Sequence, residues 1–349
     1  MRDHARATKT NPGRFFEDYR VGETLVHGVP RTVGAGERAL YHALYPMRHA
    51  LHSADTFAQA CGLAASPLDD LLAFHVVFGK TVPDVSLNAR ANLGYAEGRW
   101  LKPVWPGDTL RAVSEVIGVK QNSNGRTGVV WVRTRGLDQN DEVVLEYVRW
   151  VMVKKRDEAS PAPEPVVPDL KPALDAADLV LPEGLDFTRY DTVRAGEPHR
   201  FGDYAVGEVI DHVDGVTLEE AEHMMATRLW QNTSKTHFDG TGREDGKRLI
   251  YGGHVISMAR ALSFNGLANA QMIAGLNAGA HANPCFAGDT VRAWSEVLDM
   301  AETDRPGVGA LRLRLVATRD GSVGTLRDEA GRYLPGVLLD LDYWALVPL

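Results

Sequence analysis

Between residues 230 and 239 the chain reads Trp230-Gln231-Asn232-Thr233-Ser234-Lys235-Thr236-His237-Phe238-Asp239, and after a glycine-rich loop it continues Ile250-Tyr251-Gly252-Gly253-His254. His237 can take a proton from water near neutral pH, because an unperturbed imidazole titrates at about 6.5. A carboxylate sharing that water would be its partner: Asp239 stands two residues on, and Asn232 can orient the water instead. Gly253, at a predicted helix start, offers a backbone N–H where the helix dipole favours developing negative charge. A base, a water-orienting group and an oxyanion donor together suit proton transfer beside a polarised carbonyl. Each also has a plainer explanation: a hydrogen-bonded loop histidine, an Asx turn at Asn232 and a helix cap at Asp239.

Gly253 must be positioned by a helix, and residues 254–264 supply one: Val255, Met258 and Leu262 fall at helical spacing and Asn265-Gly266 provides the stop. Strands are expected at 291–298, 310–318 and 338–347, where Leu311-Arg312-Leu313-Arg314-Leu315 alternates with period two. The first half echoes them at 110–116, 129–135 and 143–153, and short apolar strands are expected at 24–26 and 209–212. Asn124-Gly125 and Asp320-Gly321 are turn signals between strands. A helix followed by an antiparallel meander is an α+β pattern, present twice.

The duplication is explicit. Phe16-Glu17-Asp18-Tyr19-Arg20-Val21-Gly22-Glu23 returns as Phe201-Gly202-Asp203-Tyr204-Ala205-Val206-Gly207-Glu208, and Gly107-Asp108-Thr109-Leu110-Arg111-Ala112-Val113-Ser114-Glu115-Val116 returns as Gly288-Asp289-Thr290-Val291-Arg292-Ala293-Trp294-Ser295-Glu296-Val297. So long a period means duplicated domains; solenoid units repeat every 20 to 50 residues or so. Prolines at 161, 163, 165, 168 and 172 favour an extended tether between the copies. The expected division is 1–157, a linker at 158–183, and 184–349.

With 44% hydrophobic and 24% charged residues, the 349-residue chain has the balance of a soluble globular protein. A net charge of −8 and the lack of a basic run give no support to nucleic acid as a partner. Cys61 and Cys285 lie in different halves without metal-type spacing, so neither a disulfide framework nor a metal site is expected. Residues 1–12 are polar, and no stretch of about 20 apolar residues occurs. A cytoplasmic protein without a membrane partner is the simplest expectation.

The segment from Asn232 to Gly253 resembles the hydratase segment of the MaoC-like, (R)-specific enoyl-CoA hydratase family, in which an Asp precedes a His by five residues and a Gly opens the central helix. His237 takes the His position and Gly253 the Gly position. Asn232 stands where the family has Asp, and Ser234-Lys235 where it has Asn-Pro. The resemblance implies a double hotdog, two antiparallel sheets each wrapped around a helix, with an acyl-CoA thioester as substrate and neither metal nor redox cofactor. Gly13-Arg14-Phe15-Phe16-Glu17-Asp18-Tyr19, residues 45–55, Asn88-Ala89-Arg90-Ala91-Asn92-Leu93-Gly94-Tyr95-Ala96 and residues 230–239 extend it to the branch that adds water reversibly to mesaconyl-CoA, in ethylmalonyl-CoA or 3-hydroxypropionate type carbon assimilation. Pairing into a homodimer or higher homo-oligomer is expected.

In the first copy, aligning Tyr45 with Trp230 sets His52 opposite His237. Its helix begins near Asp70 without a glycine pair to admit a thioester against bare backbone, so this copy reads as degenerate and pocket-shaping, with Arg48 and His52 able to touch substrate. An acyl group ending in a carboxylate calls for a buried cation, preferably Arg; Arg228, Lys235 and Arg260 are the second-half candidates. Two other functions fit such a chain: a hotdog thioesterase, disfavoured because residues 254–264 contain no Asp or Glu, and a non-catalytic acyl-CoA binding protein, favoured by Asn at 232.

Overall fold

The structure, a computed structural model, describes residues 9–349; the first eight residues of the polar N-terminal segment lie outside the described residues. The strands are β1 (Thr24–Val26), β2 (Arg31–Thr32), β3 (Ala89–Trp100), β4 (Thr109–Gln121), β5 (Thr127–Leu137), β6 (Val143–Lys154), β7 (Val209–Thr217), β8 (Met272–His281), β9 (Thr290–Glu302), β10 (Val308–Thr318) and β11 (Val337–Pro348). They form one sheet in the order β1-β4-β5-β6-β3-β8-β11-β10-β9-β7, with β2 also on β4. The halves join edge to edge at β3 and β8, where Tyr95 lies opposite Gly279 and Arg99 opposite Gly275. Pairing there removes the exposed edge each half would otherwise present.

Five helices matter for the site: α1 (Ala35–Leu44), α2 (Asp70–Thr81), α3 (Glu220–Leu229), α4 (Lys235–Phe238) and α5 (Gly252–Leu262). Each half wraps its sheet around one helix, α2 or α5, which is the expected α+β double hotdog. Asp69 caps α2, its carboxylate accepting the Leu71 N–H at 2.9 Å. All twelve residues of α2 are buried, its polar Asp70, His75, Lys80 and Thr81 included. Phe74 and Val77 of α2 share one core with Trp230, Val255 and Met258 of the second half, and His75 is hydrogen-bonded to Ser257 of α5 at 3.0 Å.

The repeated blocks recur because they make the same interlock. Gly22 and Gly207 take positive φ, +83° and +86°, and their N–H groups donate to Val116 and Val297 carbonyls, each at 2.8 Å. Ser114 and Ser295, from the second block, hold His27 and His212 at 2.7 and 2.8 Å. These contacts staple β1 to β4 and β7 to β9.

Residues 158–183 do not hang free as a tether. Leu174, Leu179 and Leu181 are buried against Met272 and Trp344 of the second half, and the Leu174 N–H donates to Asn277 Oδ1 at 2.8 Å. Among the described residues, no helix is long and apolar enough to cross a membrane.

Candidate active site

A cavity of about 330 Å³ opens between the halves. The second half contributes Asn232, His237, Tyr251, Gly252 and His281; the first contributes Phe78, Arg90, Asn92, Tyr95 and Arg149. Among the described residues no Asp or Glu lines it.

His237 sits in the short helix α4. Its Nδ1 lies 2.8 Å from the Leu249 carbonyl, which fixes the proton on Nδ1 and leaves the Nε2 lone pair free. Burial lowers its pKa against the opposing pull of that carbonyl, which favours the neutral ring with its Nε2 lone pair available. Asn232, ahead of it, is buried; its Oδ1 accepts the Ser234 N–H at 3.0 Å in an Asx turn, and the carboxamide lines the cavity. The Asx turn weighed for Asn232 is thus present, and the residue also belongs to the cavity lining.

Helix α5 opens beneath these groups, and no side chain caps it. Its first amides have no intrahelical acceptor and carry the positive end of the helix dipole. The glycine lining the cavity is Gly252 rather than Gly253. A Cβ on Gly252 would overlap the His281 ring, whereas one on Gly253 would stand 2.6 Å from His75 Cε1. Both positions need Gly, for different neighbours.

Three histidines of this region carry no signal in the local sequence. His281, at the end of β8, lines the cavity with its Nε2 3.1 Å from the Tyr95 hydroxyl; burial and the nearby His237 lower it to about 4. His223 of α3 accepts the Tyr251 N–H at 2.9 Å and so pins the start of α5. His254 lies 2.7 Å from the Tyr45 hydroxyl of the first copy. Burial lowers His223 to about 3 and His254 to about 4, so both rings are neutral scaffolding. The signal that could have revealed them is spacing across the duplicated fold, which one chain without coordinates does not supply.

Several expected site residues lie elsewhere. Asp239 is exposed and caps the next turn, accepting the Thr241 N–H at 2.9 Å, and it is not among the residues that line the cavity with His237. Arg228 and Lys235 are exposed and outside the cavity lining. Arg260 is buried at the far end of α5, donating to Ser263 Oγ at 3.1 Å and to the Ala270 carbonyl; it closes the helix end. Arg48 is exposed and stacks on Phe264 at 4.2 Å.

His52 is buried with Nε2 3.4 Å from Asp70 Oδ2. Burial opposes its charge, but Asp70 and Asp69 outweigh burial and raise it to about 9. The first copy thus places a carboxylate at its helix start where the second has Gly252, and the adjoining cavity, lined partly by linker residues Val180 and Pro182, holds only about 20 Å³. No thioester fits there. Among the described residues no group of three or more His, Cys, Asp or Glu is arranged to hold a metal ion.

Fold and site together define a double hotdog of the MaoC-like dehydratase class. A solved MaoC domain protein from Chloroflexus aurantiacus J-10-fl superposes with a TM-score of 0.95 at 55% identity, covering 98% of this chain and 99% of that one. A Mycobacterium tuberculosis protein with a double hotdog fold superposes with a TM-score of 0.73 at 24% identity, covering 96% and 98%, and shows the fold alone. The family model described as mesaconyl-CoA hydratase matches residues 2–323. The chain is 76% identical over 341 residues to the mesaconyl-CoA hydratase of Cereibacter sphaeroides (97% of this chain, 99% of that protein) and 57% identical over 348 residues to the beta-methylmalyl-CoA dehydratase of Chloroflexus aurantiacus (98% and 99%). The chain belongs to the mesaconyl-CoA hydratase family.

Proposed function

We propose that this protein is a hydro-lyase that adds water reversibly to mesaconyl-CoA, giving β-methylmalyl-CoA. The observation that carries the reading is a neutral His237 with a free Nε2 lining the same cavity as the uncapped start of α5 at Gly252. The names of its relatives supply the substrate.

In this reading the thioester carbonyl points at the α5 start, whose amides stabilise the enolate oxygen as charge develops. Asn232 holds a water against the β-carbon, and His237 Nε2 takes its proton as the C–O bond forms. The imidazolium then returns that proton to the α-carbon. One water is consumed, its oxygen ending on the β-carbon and its proton on the α-carbon, so substrate and water balance the equation. Among the described residues no carboxylate lines the cavity to take the role that an Asp plays in the wider family; His281, hydrogen-bonded to Tyr95, is its second imidazole. Arg90, an exposed cation among the cavity-lining residues, is assigned in this reading to the phosphates of CoA.

A cytoplasmic role in ethylmalonyl-CoA type carbon assimilation and association into a homodimer or larger homo-oligomer complete the reading. The thioesterase alternative lacks a carboxylate to activate water in this cavity. The test is to mix purified protein with mesaconyl-CoA and a thiol reagent. Loss of enoyl-thioester absorbance without thiol release is expected; thiol release at the same rate would establish hydrolysis instead.

A further inference from the structure

Arg149 belongs to β6 of the first copy, yet it lines the cavity that carries His237. It is wholly buried. Its guanidinium stacks over Phe78 at 4.2 Å, and Nη2 donates to Thr81 Oγ1 at 2.7 Å and, more weakly, to Ser86 Oγ at 3.4 Å. Nε and Nη1 are buried with no acceptor among the described residues. Those two nitrogens carry three of the five guanidinium N–H groups. Arg cannot discharge itself by losing a proton, and a buried charge without a counter-ion is costly.

The neighbours of Arg149 are also unsatisfied. The Tyr251 hydroxyl is buried without a partner, as are both amide atoms of Asn92, and both residues line the same cavity. The Tyr251 ring lies 5.6 Å from that of Phe78, the ring over which the Arg149 guanidinium stacks. A cation, a phenol and a carboxamide, all desolvated and unpaired, form a receptor whose missing occupant is an anion with several acceptor lone pairs.

We propose that Arg149, with Tyr251 and Asn92, binds the free carboxylate of a dicarboxylic acyl-CoA. The first copy would thus select the substrate on which His237 of the second copy acts. This inference rests on the hydratase reading above and goes beyond it by naming the group that sets acyl selectivity. It also replaces Arg228, Lys235 and Arg260, none of which lines the cavity.

The experiment compares kcat/KM for mesaconyl-CoA and for crotonyl-CoA, which lacks the carboxylate, in wild type and Arg149→Met. The variant should lose about 100-fold or more on mesaconyl-CoA, while crotonyl-CoA changes less than about threefold, so that the preference collapses. An equal fall on both substrates would show a merely structural arginine and overturn the proposal. Should the Met variant not fold, Arg149→Lys keeps the charge but loses the planar fork; its preference should drop about tenfold, and an unchanged ratio would overturn the proposal. A second readout does not need turnover: free mesaconate should raise the melting temperature of wild type and leave that of the Arg149 variant that folds unmoved. If wild type hydrates neither thioester, the hydratase reading fails, and the mesaconate shift alone decides whether Arg149 receives a carboxylate; no shift would reject it.

Discussion

Gly79 of α2 lies directly against the Trp230 carbonyl, so closely that a Cβ on Gly79 would overlap that oxygen and come within 3.3 Å of the Asn232 nitrogen. A backbone position in the first copy therefore sets where the Asn232 to His237 segment of the second copy runs. The consequence is measurable: Gly79→Ala must push that segment outward. Overpacking of this kind costs about 1–3 kcal/mol, and displacement of catalytic groups by about 1 Å can cost about 100-fold in rate. Thermal unfolding and kcat should both fall. A variant with a lowered melting point and unchanged kcat would show that the segment's position does not depend on this contact.

Gly252→Ala tests the helix start. Its methyl would meet the His281 ring, forcing that imidazole away from the uncapped amides. The expected outcome is a loss of about 100-fold in kcat, the size expected when groups at a site are displaced by about 1 Å, because the added methyl drives the His281 ring out of place. Equal turnover in the variant and wild type would show that catalysis does not depend on how His281 packs against the α5 start.

The buried histidines predict a pH-dependent stability. His75 and His223 are lowered to about 3, and His254 and His281 to about 4, chiefly by burial, from an ordinary value of about 6.5. Between those values the unfolded chain binds protons that the folded chain does not, so the contribution of these four histidines is complete above about pH 6.5 and declines as pH falls toward 4. The slope is about 1.4 kcal/mol per pH unit for each such histidine. Denaturant titrations from pH 7 to 4.5 should show a falling midpoint, and His254→Gln should flatten the decline. A midpoint constant across this range would contradict neutral burial.

The His52–Asp70 pair predicts an effect on stability alone. Leaving His52 without its counter-ion in Asp70→Asn should destabilise by about 3–5 kcal/mol, as breaking a buried pair does. Turnover per folded molecule should change little, because the pair sits outside the cavity. Asp239→Asn should leave turnover within about twofold, since its carboxylate only caps an exposed turn. Urea melts and assays on the two variants separate these expectations; a large turnover loss in Asp239→Asn would return that carboxylate to the site.

What could be read from the chain depended on how local its physical cause was. The meander strands β4–β6 and β9–β11, the short edge strands β1 and β7, and α5 were legible because turn glycines, alternation and helical spacing act within a few residues. Strands β3 and β8 were not, although they join the halves. Their sequences are rich in Ala, Gly and Asn, which disfavour strands by propensity, and the glycines serve long-range packing: a Cβ on Gly98 would stand 2.7 Å from Leu276 Cβ, and one on Gly279 2.8 Å from the Tyr95 ring. His237 was legible through its spacing from the Gly pair, and Gly252 was missed by one position. Arg149 was missed because its role is set across the two halves, although a charge inside the apolar run Val148-Arg149-Trp150-Val151 was a visible anomaly. Cations near His237 in sequence attracted attention that only the fold could redirect.

The most direct test is the hydration rate of His237→Ala on mesaconyl-CoA. With the Nε2 base gone, kcat/KM should fall by about 10²- to 10⁴-fold, while circular dichroism and melting temperature stay near wild type because His237 is only half-buried. Turnover within threefold of wild type in a folded His237→Ala protein would contradict the account.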